Sequence, residues 1–331
     1  MTIFEQKLQN TTTMKNSIII LVLLVCSGVF AQGSIAKKVN ELVLQNTTFK
    51  KYVVLNENGT ISTNETRTAV AKATYGQLNI QAVNAIFTKQ DDFIELEIPY
   101  QGSTITTQLF KVDIFAEGFH IDTDQVKAIT YQKGAYYRGI IKGNQNSIVS
   151  FSFFKDEFSG VISSRTLSNL VVAKLDKPNN ISDYIIYSDQ DLLAKNTFEC
   201  KVKESFEEVP EQLRNQATPA TTRCVTMYFE IDYDLYQANG SDTTTTTNWM
   251  TSVFNNVQTI YTNDGITTSL KSMFIWTTPD PYDGIGDSSS DYLYKFNELR
   301  PVFDGDLGQL LGIDPGGLGG VAVGINGICT Q

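Results

Sequence analysis

A change of hydrophobic pattern near residue 200 is the feature that most limits how this chain of 331 residues folds. Before it, across residues 52–187, short runs alternate apolar with polar residues, which indicates half-buried β-strands. The clearest runs are residues 94–98, 105–110 and 148–153. Turns are expected at the glycines that separate such runs, namely Gly102, Gly134, Gly143 and Gly160. This part of the chain is therefore predicted to be mostly β.

The second part mixes strands with helices. A polar stretch over 201–223 predicts a solvated linker, and a strand is expected over 225–231. A helix is expected from about Thr243 to the turn at Gly265, with Asp242 or a threonine as its N-cap. Its inward face is predicted from the apolar residues at helical spacing: Trp249, Val253, Val257, Ile260 and Tyr261. A strand over 270–276, a helix capped near Ser288 and short strands over 310–313 and 321–323 complete a helix-covered mixed sheet.

The start of the chain has the pattern of a secretory signal peptide. Translation begins at Met1 or at Met14, and a positive charge then precedes a short apolar run over 18–25. We expect cleavage after Ala31, because small or apolar residues stand before that bond. The run is too short for a normal membrane span, and Cys26 fits a lipid-attachment site poorly. An exported protein, with bacterial export the simpler reading and no stable membrane anchor, is therefore predicted.

Charge and residue counts exclude several classes of function. With 26 basic and 36 acidic residues the chain carries a net charge of −10, which argues against nucleic-acid binding. His120 is the one histidine, so no site that needs several histidines can form within this chain. It is expected to be a hydrogen-bonded structural group.

Three further patterns have a structural reading beside a functional one. The glycine-rich stretch 316–320 does not follow a strand and open a helix, so a loop is expected rather than a phosphate cradle. The acidic residues between Asp280 and Asp291 indicate either a calcium loop or, more simply, a solvated turn. Of the four cysteines, Cys26 lies in the signal segment, which leaves an odd set in the exported chain: Cys200, Cys224 and Cys329.

Several stretches resemble reprolysin (adamalysin-like) metallopeptidases. In the second part these are IDYDLY at 231–236, FIW at 274–276 and DLGQLLGID at 306–314, followed by GVAV at 320–323 and Cys329. In the first part, YRGIIKG at 137–143, SIVSFS at 147–152 and GVI at 160–162 are similar to motifs of the same family's propeptide. Their order along the chain matches that of the family.

The resemblance implies an α+β protein with four regions. These are a signal peptide at 1–31, a β-rich propeptide at 32–199, a linker at 200–223, and at 224–331 the N-terminal half of a zincin-like mixed-sheet α/β catalytic domain. The family binds zinc through His-Glu-x-x-His-x-x-Gly-x-x-His, and this sequence has no such motif. We therefore expect a zinc metalloendopeptidase precursor that is cut short before the motif. Such a chain has no catalytic residue and no metal ligand, and is inactive as given.

The resemblance also implies a substrate site and a latency device. A peptide or protein substrate is expected to pair with the backbone of Gly320, Val321, Ala322 and Val323. Cys200 is a candidate latency switch, in which its thiolate would occupy the open zinc position; a disulfide to Cys224 is the competing interpretation. The alternative function is an exported β-rich binding or adhesion module with no catalytic activity.

Overall fold

A computed structural model describes residues 33–61, 64–193, 224–286 and 288–313, together with Gly320 and Ala322. The predicted signal peptide at 1–31 and the predicted linker at 200–223 lie outside these residues. The described residues from Ser34 onwards belong to one compact unit. No helix within these ranges is both long enough and apolar enough to cross a membrane.

The described residues form an α+β protein, with a large mostly-β part and a few helices. The strands are β1 Lys50–Val53, β2 Leu55–Glu57, β3 Thr74–Leu78, β4 Phe93–Tyr100, β5 Ser103–Val112, β6 Phe115–Thr123, β7 Ala135–Ile141, β8 Ser147–Phe154, β9 Glu157–Ser164, β10 Ser168–Lys174, β11 Asp183–Ser188, β12 Val225–Ile231, β13 Thr268–Ile275 and β14 Leu307–Leu311. The helices are α1 Ser34–Leu44, α2 Asn64–Ala69, α3 Ile80–Lys89, α4 Tyr233–Ala238, α5 Thr243–Asn263 and α6 Ser289–Leu299.

Two sheets organise the described residues. The larger sheet has ten strands in the order β1-β4-β5-β7-β8-β9-β10-β11-β3-β2, and apart from the parallel β1–β4 pair its strands are antiparallel. The smaller sheet has the order β14-β12-β13-β6 and is parallel throughout. The predicted strands at 94–98, 105–110, 148–153 and 225–231 are confirmed as parts of β4, β5, β8 and β12.

Strand β6 joins the two predicted regions of the chain. It comes from the β-rich part before residue 200, yet it pairs with β13 in the smaller sheet. Its neighbours in sequence, β5 and β7, pair directly with each other in the larger sheet. Residues 113–134 therefore leave one sheet and complete the other. The boundaries at 199 and 224 stay a prediction, but the smaller sheet draws strands from both sides of them.

The buried core follows the same division. The larger sheet packs an aromatic group around Phe153, whose ring is stacked 5.5 Å from that of Phe158. A second cluster joins Ile121 and Phe154 of the first part with Phe229 and Phe254 of the second. Because both parts of the chain contribute to this cluster, its apolar surface is buried only when they are together.

Helix α5 has the predicted ends but not the predicted buried face. Asp242 caps it by accepting a hydrogen bond from the Thr245 amide. Of the five residues expected to face inward, only Val253 packs against the second cluster. The other four are exposed, so the expectation was wrong for Trp249, Val257, Ile260 and Tyr261. The buried residues of the helix are mostly polar: Thr246, Thr247, Met250, Thr251, Ser252, Phe254, Asn255, Gln258 and Thr259.

The position of α5 between the two sheets explains this reversal. The Asn255 side-chain amide donates to the Phe151 carbonyl and the Ser152 hydroxyl of β8, both at 3.1 Å. The Thr251 hydroxyl donates to the Thr247 carbonyl one turn back at 2.8 Å. Because the Asn255 amide nitrogen and the Thr251 hydroxyl are hydrogen-bonded, much of the free-energy cost of burying this polar face is offset, while Asn255 Oδ1 has no hydrogen-bond partner among the described residues.

Helices within the β-rich part were not anticipated. Helix α3 buries Val83 and Ile86, and the Asn79 side chain caps it by accepting from the Ala82 amide. The helix is short and only these two of its residues are fully buried. Its helical periodicity is therefore weak beside the alternating pattern of the strands around it, and the sequence did not predict it.

The structure confirms some of the predicted glycine turns and contradicts one. Gly102 and Gly143 lie in turns with φ of 73° and 77°, as predicted. Gly134 precedes β7 in an irregular segment. Gly160 is not a turn residue, because it lies inside β9 opposite Phe151 of β8. A side chain at Gly160 would overlap the Phe151 ring and the Ser150 carbonyl. This position needs glycine for close approach of two strands.

We expect Gly160→Ala to lower the free energy of unfolding by about 1–3 kcal/mol, because the added methyl group has no room between the strands. Urea denaturation followed by circular dichroism measures the change. Gly59→Ala is the matched control, since nothing lies within 4 Å of the added atom, and it should shift stability by less than about 1 kcal/mol. Equal effects of the two variants would contradict the packing explanation.

Candidate functional site

The carboxyl ends of the parallel strands gather the most chemically distinctive side chains of the smaller sheet. Because β6, β12, β13 and β14 are parallel, their carboxyl ends lie at one edge. Ligands of parallel sheets commonly bind at this edge. We call the residues there the carboxyl edge: Asp124 after β6, Asp232 after β12, Thr277 after β13, Gly312 after β14, and Asp280 beyond Thr277.

Asp232 ties three elements together at the carboxyl edge. Its Oδ1 accepts from the Leu235 amide at 2.7 Å, which caps α4, and its Oδ2 accepts from the Ile313 amide at 3.2 Å. Its own amide donates to the Leu311 carbonyl of β14 at 3.0 Å. A side chain at Gly312 would overlap the carboxylate, so any larger residue there would displace Asp232 from its hydrogen bonds.

Burial raises the pKa of Asp232 to about 7. The negative charges of Asp280 and Asp234 add to the rise, and the amide hydrogen bonds from Leu235 and Ile313 oppose it. The group therefore titrates near neutral pH. Both of its oxygens are already engaged by backbone amides, which favours a structural use of the carboxyl over a catalytic one.

The other two carboxylates of the carboxyl edge are also occupied. Asp280 accepts from the Tyr233 and Tyr282 amides, each at 2.7 Å. Asp124 accepts from the Thr277 amide at 2.8 Å and from its hydroxyl at 2.6 Å. Burial acts to raise the pKa of Asp124, but hydrogen bonds led by those from Gln125 and Thr277 outweigh it and hold the pKa well below its usual value.

Beneath the carboxyl edge lies a fully buried glutamate. Glu230 of β12 accepts at Oε1 from Trp276 Nε1 at 2.7 Å and from the Tyr282 hydroxyl at 2.9 Å. At Oε2 it accepts from the Tyr228 hydroxyl at 2.8 Å and from Arg300 Nε at 2.6 Å. Four donors, one of them cationic, therefore compensate the buried charge.

Arg300 is itself held in place by aromatic rings. Its guanidinium lies 4.3 Å from the centre of the Phe274 ring and 5.6 Å from that of Trp276. The sequence signal for this network was a charged residue, Glu230, between the apolar Phe229 and Ile231 of a strand. No comparable local signal marks Arg300, which directly follows the last residue of α6.

The predicted site residues lie largely outside the described part of the chain. Val321, Val323 and Cys200 are outside it, while Gly320 and Ala322 are exposed and carry no helix or strand assignment. Peptide binding at 320–323 and the Cys200 switch stay predictions. Cys224 has a free, exposed thiol, and its Sγ lies 3.1 Å from the Ser269 hydroxyl.

The one histidine takes a structural position, as predicted. His120 lies in β6, with Nδ1 3.2 Å from the Gly118 carbonyl and 3.8 Å from a carboxylate oxygen of Asp304. No hydroxyl or thiol nucleophile is seen paired with it among the described residues. A nucleophile–base pair built on this histidine is therefore not favoured.

Residues that would hold a metal ion do not come together in the described ranges. No three His, Cys, Asp or Glu side chains there are grouped as ligands. At the carboxyl edge, the oxygens that a metal would need already accept backbone amides. The described residues therefore do not fit a catalytic zinc ion. Asp287, one member of the acidic stretch, lies outside the description.

Arg300→Leu should lower the free energy of unfolding by about 2–4 kcal/mol, because it leaves the buried Glu230 charge without its cation. Chemical denaturation measures the loss. Lys295→Ala is the control in α6, the helix that Arg300 directly follows. Because Lys295 forms its ion pair with the exposed Glu298, this variant should change stability by less than about 0.5 kcal/mol. A loss of similar size in both variants would show that the buried network is not the cause.

Stability should depend on pH through Asp232. Its pKa of about 7 in the folded chain exceeds the value of about 4 in an unfolded chain, so the folded state binds the proton more tightly. Its contribution is therefore complete below about pH 4 and is lost as the pH rises through 7. Between pH 5 and 8 the free energy of unfolding should fall by about 1–3 kcal/mol.

Asp232→Asn should remove this part of the pH dependence. Asp242→Asn is the matched control, because Asp242 also caps a helix through its side chain but is exposed. Denaturation curves of the three proteins at pH 5, 6, 7 and 8 test the assignment. If Asp232→Asn keeps the slope of the parent protein, another group controls it.

Comparison with known protein families finds a match in the second part of the chain. Residues 221–318 match the reprolysin-type family model described as metallo-peptidase family M12. The matched range holds β12, α4, α5, β13, α6 and β14, and so includes three strands of the smaller sheet. A search of curated proteins finds no match. The match supports a reprolysin-like metallopeptidase relationship for residues 221–318.

Proposed function

We propose that this chain is the precursor portion of an exported zinc metalloendopeptidase of the M12 type. The observation that carries the proposal is the family match over 221–318. The parallel sheet and flanking helices found over that range are compatible with the beginning of a peptidase domain. Hydrolysis of peptide or protein substrates is the activity that follows from this relationship.

In this proposal the remaining regions serve export, latency and substrate binding. Residues 1–31 direct export, and residues 32–199 form the propeptide, joined by the linker 200–223 to the peptidase-like region that begins at 224. Substrate backbone pairs with residues 320–323. In support, β14 is an edge of the smaller sheet as described, and residues 320–323 follow it closely in sequence.

The zinc-dependent chemistry requires residues that this sequence does not contain. A catalytic zinc in this family needs three histidines, and His120 is the one histidine here. His120 lies in β6 beside Asp304, within the strand supplied by the first part of the chain. We therefore propose that this chain by itself binds no catalytic zinc and cleaves no peptide, and that activity belongs to a form that carries the histidine motif.

Latency is proposed to involve Cys200. Its thiolate would occupy the open zinc position in the form that carries the histidine motif. The competing proposal is that the Cys224 thiol, which is free and exposed in the described structure, forms a disulfide with Cys200 across the linker. Cys200→Ser separates the two in that form, because loss of a switch gives peptidase activity before propeptide cleavage, whereas loss of a disulfide alone does not.

The purified chain should retain only substoichiometric zinc after equilibration with zinc and dialysis, and should not cleave fluorogenic peptides above the buffer rate. Metal analysis and a peptidase assay with and without 1,10-phenanthroline measure this. Equimolar zinc together with chelator-sensitive cleavage would contradict the proposal of inactivity.

A second experiment tests the family assignment itself. The coding DNA downstream of codon 331 should be read in all frames, and any extended form should be produced and assayed. We expect a His-Glu-x-x-His motif and chelator-sensitive cleavage that is lost when the glutamate of that motif is replaced by alanine. An extended protein that lacks the motif and any peptidase activity would favour the binding-module alternative.

A further inference from the structure

We infer that residues 34–193, the N-segment, are a strand-donating partner of residues 224–313, the C-segment, and that the two stay bound when the chain between them is cut. The inference concerns the interface between the segments. It goes beyond the proposed protease function and does not depend on it.

The topology provides the first argument. Val112 of β5 pairs directly with Tyr136 of β7, so the larger sheet is continuous without β6. Strand β6 pairs with β13 and has no place in the order of the larger sheet. Its register includes Ile121 opposite Met273 and Thr123 opposite Ile275. Addition of a strand to an open sheet edge is an established mode of recognition between separate chains.

Backbone and side-chain hydrogen bonds hold both ends of the donated strand. Near its start, the Leu270 amide donates to the Ile114 carbonyl at 2.8 Å, and Lys271 Nζ donates to the Glu117 carbonyl at 2.7 Å. Just after its end, the Asp124 carboxylate accepts from the Thr277 amide and from two threonine hydroxyls of the C-segment. The strand is thus attached at both ends, and between them residues 120–123 pair continuously with 272–275, while the register shifts between the Phe115 pair and the His120 pair.

The contact between α5 and the larger sheet is the second argument. Ser150 of β8 donates to Asn256 at 2.5 Å, and Asn255 donates to the Phe151 carbonyl at 3.1 Å. Arg138 of β7 is buried and donates to Gln258 and to Thr262. A hydrogen-bonded polar contact of this kind resembles an interface between partners more than the apolar core of one domain.

An apolar centre accompanies these polar contacts. Ile121 and Phe154 of the N-segment pack in one cluster with Phe254 and Met273 of the C-segment. A buried apolar centre with polar contacts around it is the arrangement found in specific protein interfaces. Such an interface has the means to hold two chains together without a covalent link.

The position of the donated strand shows whether a bound N-segment would cover the opposite edge of the smaller sheet. In the order β14-β12-β13-β6, strand β6 lies at the edge opposite β14. A retained N-segment therefore does not cover β14 through this strand. The bound N-segment is thus an attached accessory subunit that adds an edge strand to the smaller sheet.

The test uses the full chain with a specific protease site introduced within 201–223 and an affinity tag at its C-terminal end. After complete cleavage the protein is immobilised through the tag, and release of the N-segment is followed over hours of washing. We expect the N-segment to remain bound. Immediate release under native conditions would overturn the inference.

Two matched variants test whether β6 is what keeps the N-segment bound. Asp124→Ala removes the carboxylate that accepts from Thr277 and should speed release at least tenfold, equivalent to about 1.4 kcal/mol. Asp122→Ala removes a carboxylate two residues earlier that bonds the Ala128 amide within the N-segment, and should leave release unchanged. Equal release rates for the two variants would overturn the role of β6.

Folding of the variants is checked before cleavage by thermal melting. If uncut Asp124→Ala does not melt cooperatively, Thr278→Val takes its place, because it removes one hydrogen bond to Asp124 from the opposite side of the interface. It should speed release by about two- to tenfold. An unchanged release rate for this variant would equally overturn the inference.

Discussion

The parallel pairing of β6 with β13 is the interaction on which the rest of the described structure depends. It covers the outer side of β13 with a strand from the other part of the chain, and that strand then forms the edge of the smaller sheet. Without this pairing, β13 would expose its own row of backbone donors and acceptors. The pairing also brings Ile121 into the cluster of Phe229 and Phe254, so that hydrogen bonding and apolar burial support the same arrangement.

Helix α5 transmits this arrangement to the larger sheet. Its buried side carries Asn255 and Gln258, which hydrogen-bond to backbone and side chains on both neighbouring sheets. Its opposite side leaves Trp249 and Ile260 exposed. A helix between two sheets needs partners on two sides, and here polar partners on the larger sheet decide which side is buried. Hydrogen-bond complementarity therefore outweighs the hydrophobic pattern of this helix.

The carboxyl edge of the smaller sheet serves architecture in the residues that the structure describes. Asp232 and Asp280 use their oxygens to hold the backbone where strands end and helices begin, and Glu230 below them is neutralised by Arg300 and three neutral donors. The family match lies over the same strands. The relationship to metallopeptidases thus rests on the scaffold, while the metal-binding chemistry of that family has no counterpart among these residues.

The sequence by itself determined the local elements. Alternation and β-rich composition predicted the strands at β4, β5, β8 and β12, and the caps Asp242 and Ser288 marked the starts of α5 and α6. These features depend on neighbours within a few residues, which a linear pattern contains. The same reasoning placed a metallopeptidase relationship in the region that the family match later covered.

Tertiary structure alone decided the pairings between distant residues. Nothing in the local pattern of β6 indicates that it leaves its sheet for β13, since an edge strand reads the same in either sheet. The buried side of α5 was misjudged for the same reason: hydrophobic periodicity assumes an apolar neighbour, and the larger sheet presents hydrogen-bonding groups instead. The Glu230–Arg300 network likewise joins β12 to the end of α6, and its geometry exists only once both elements pack together.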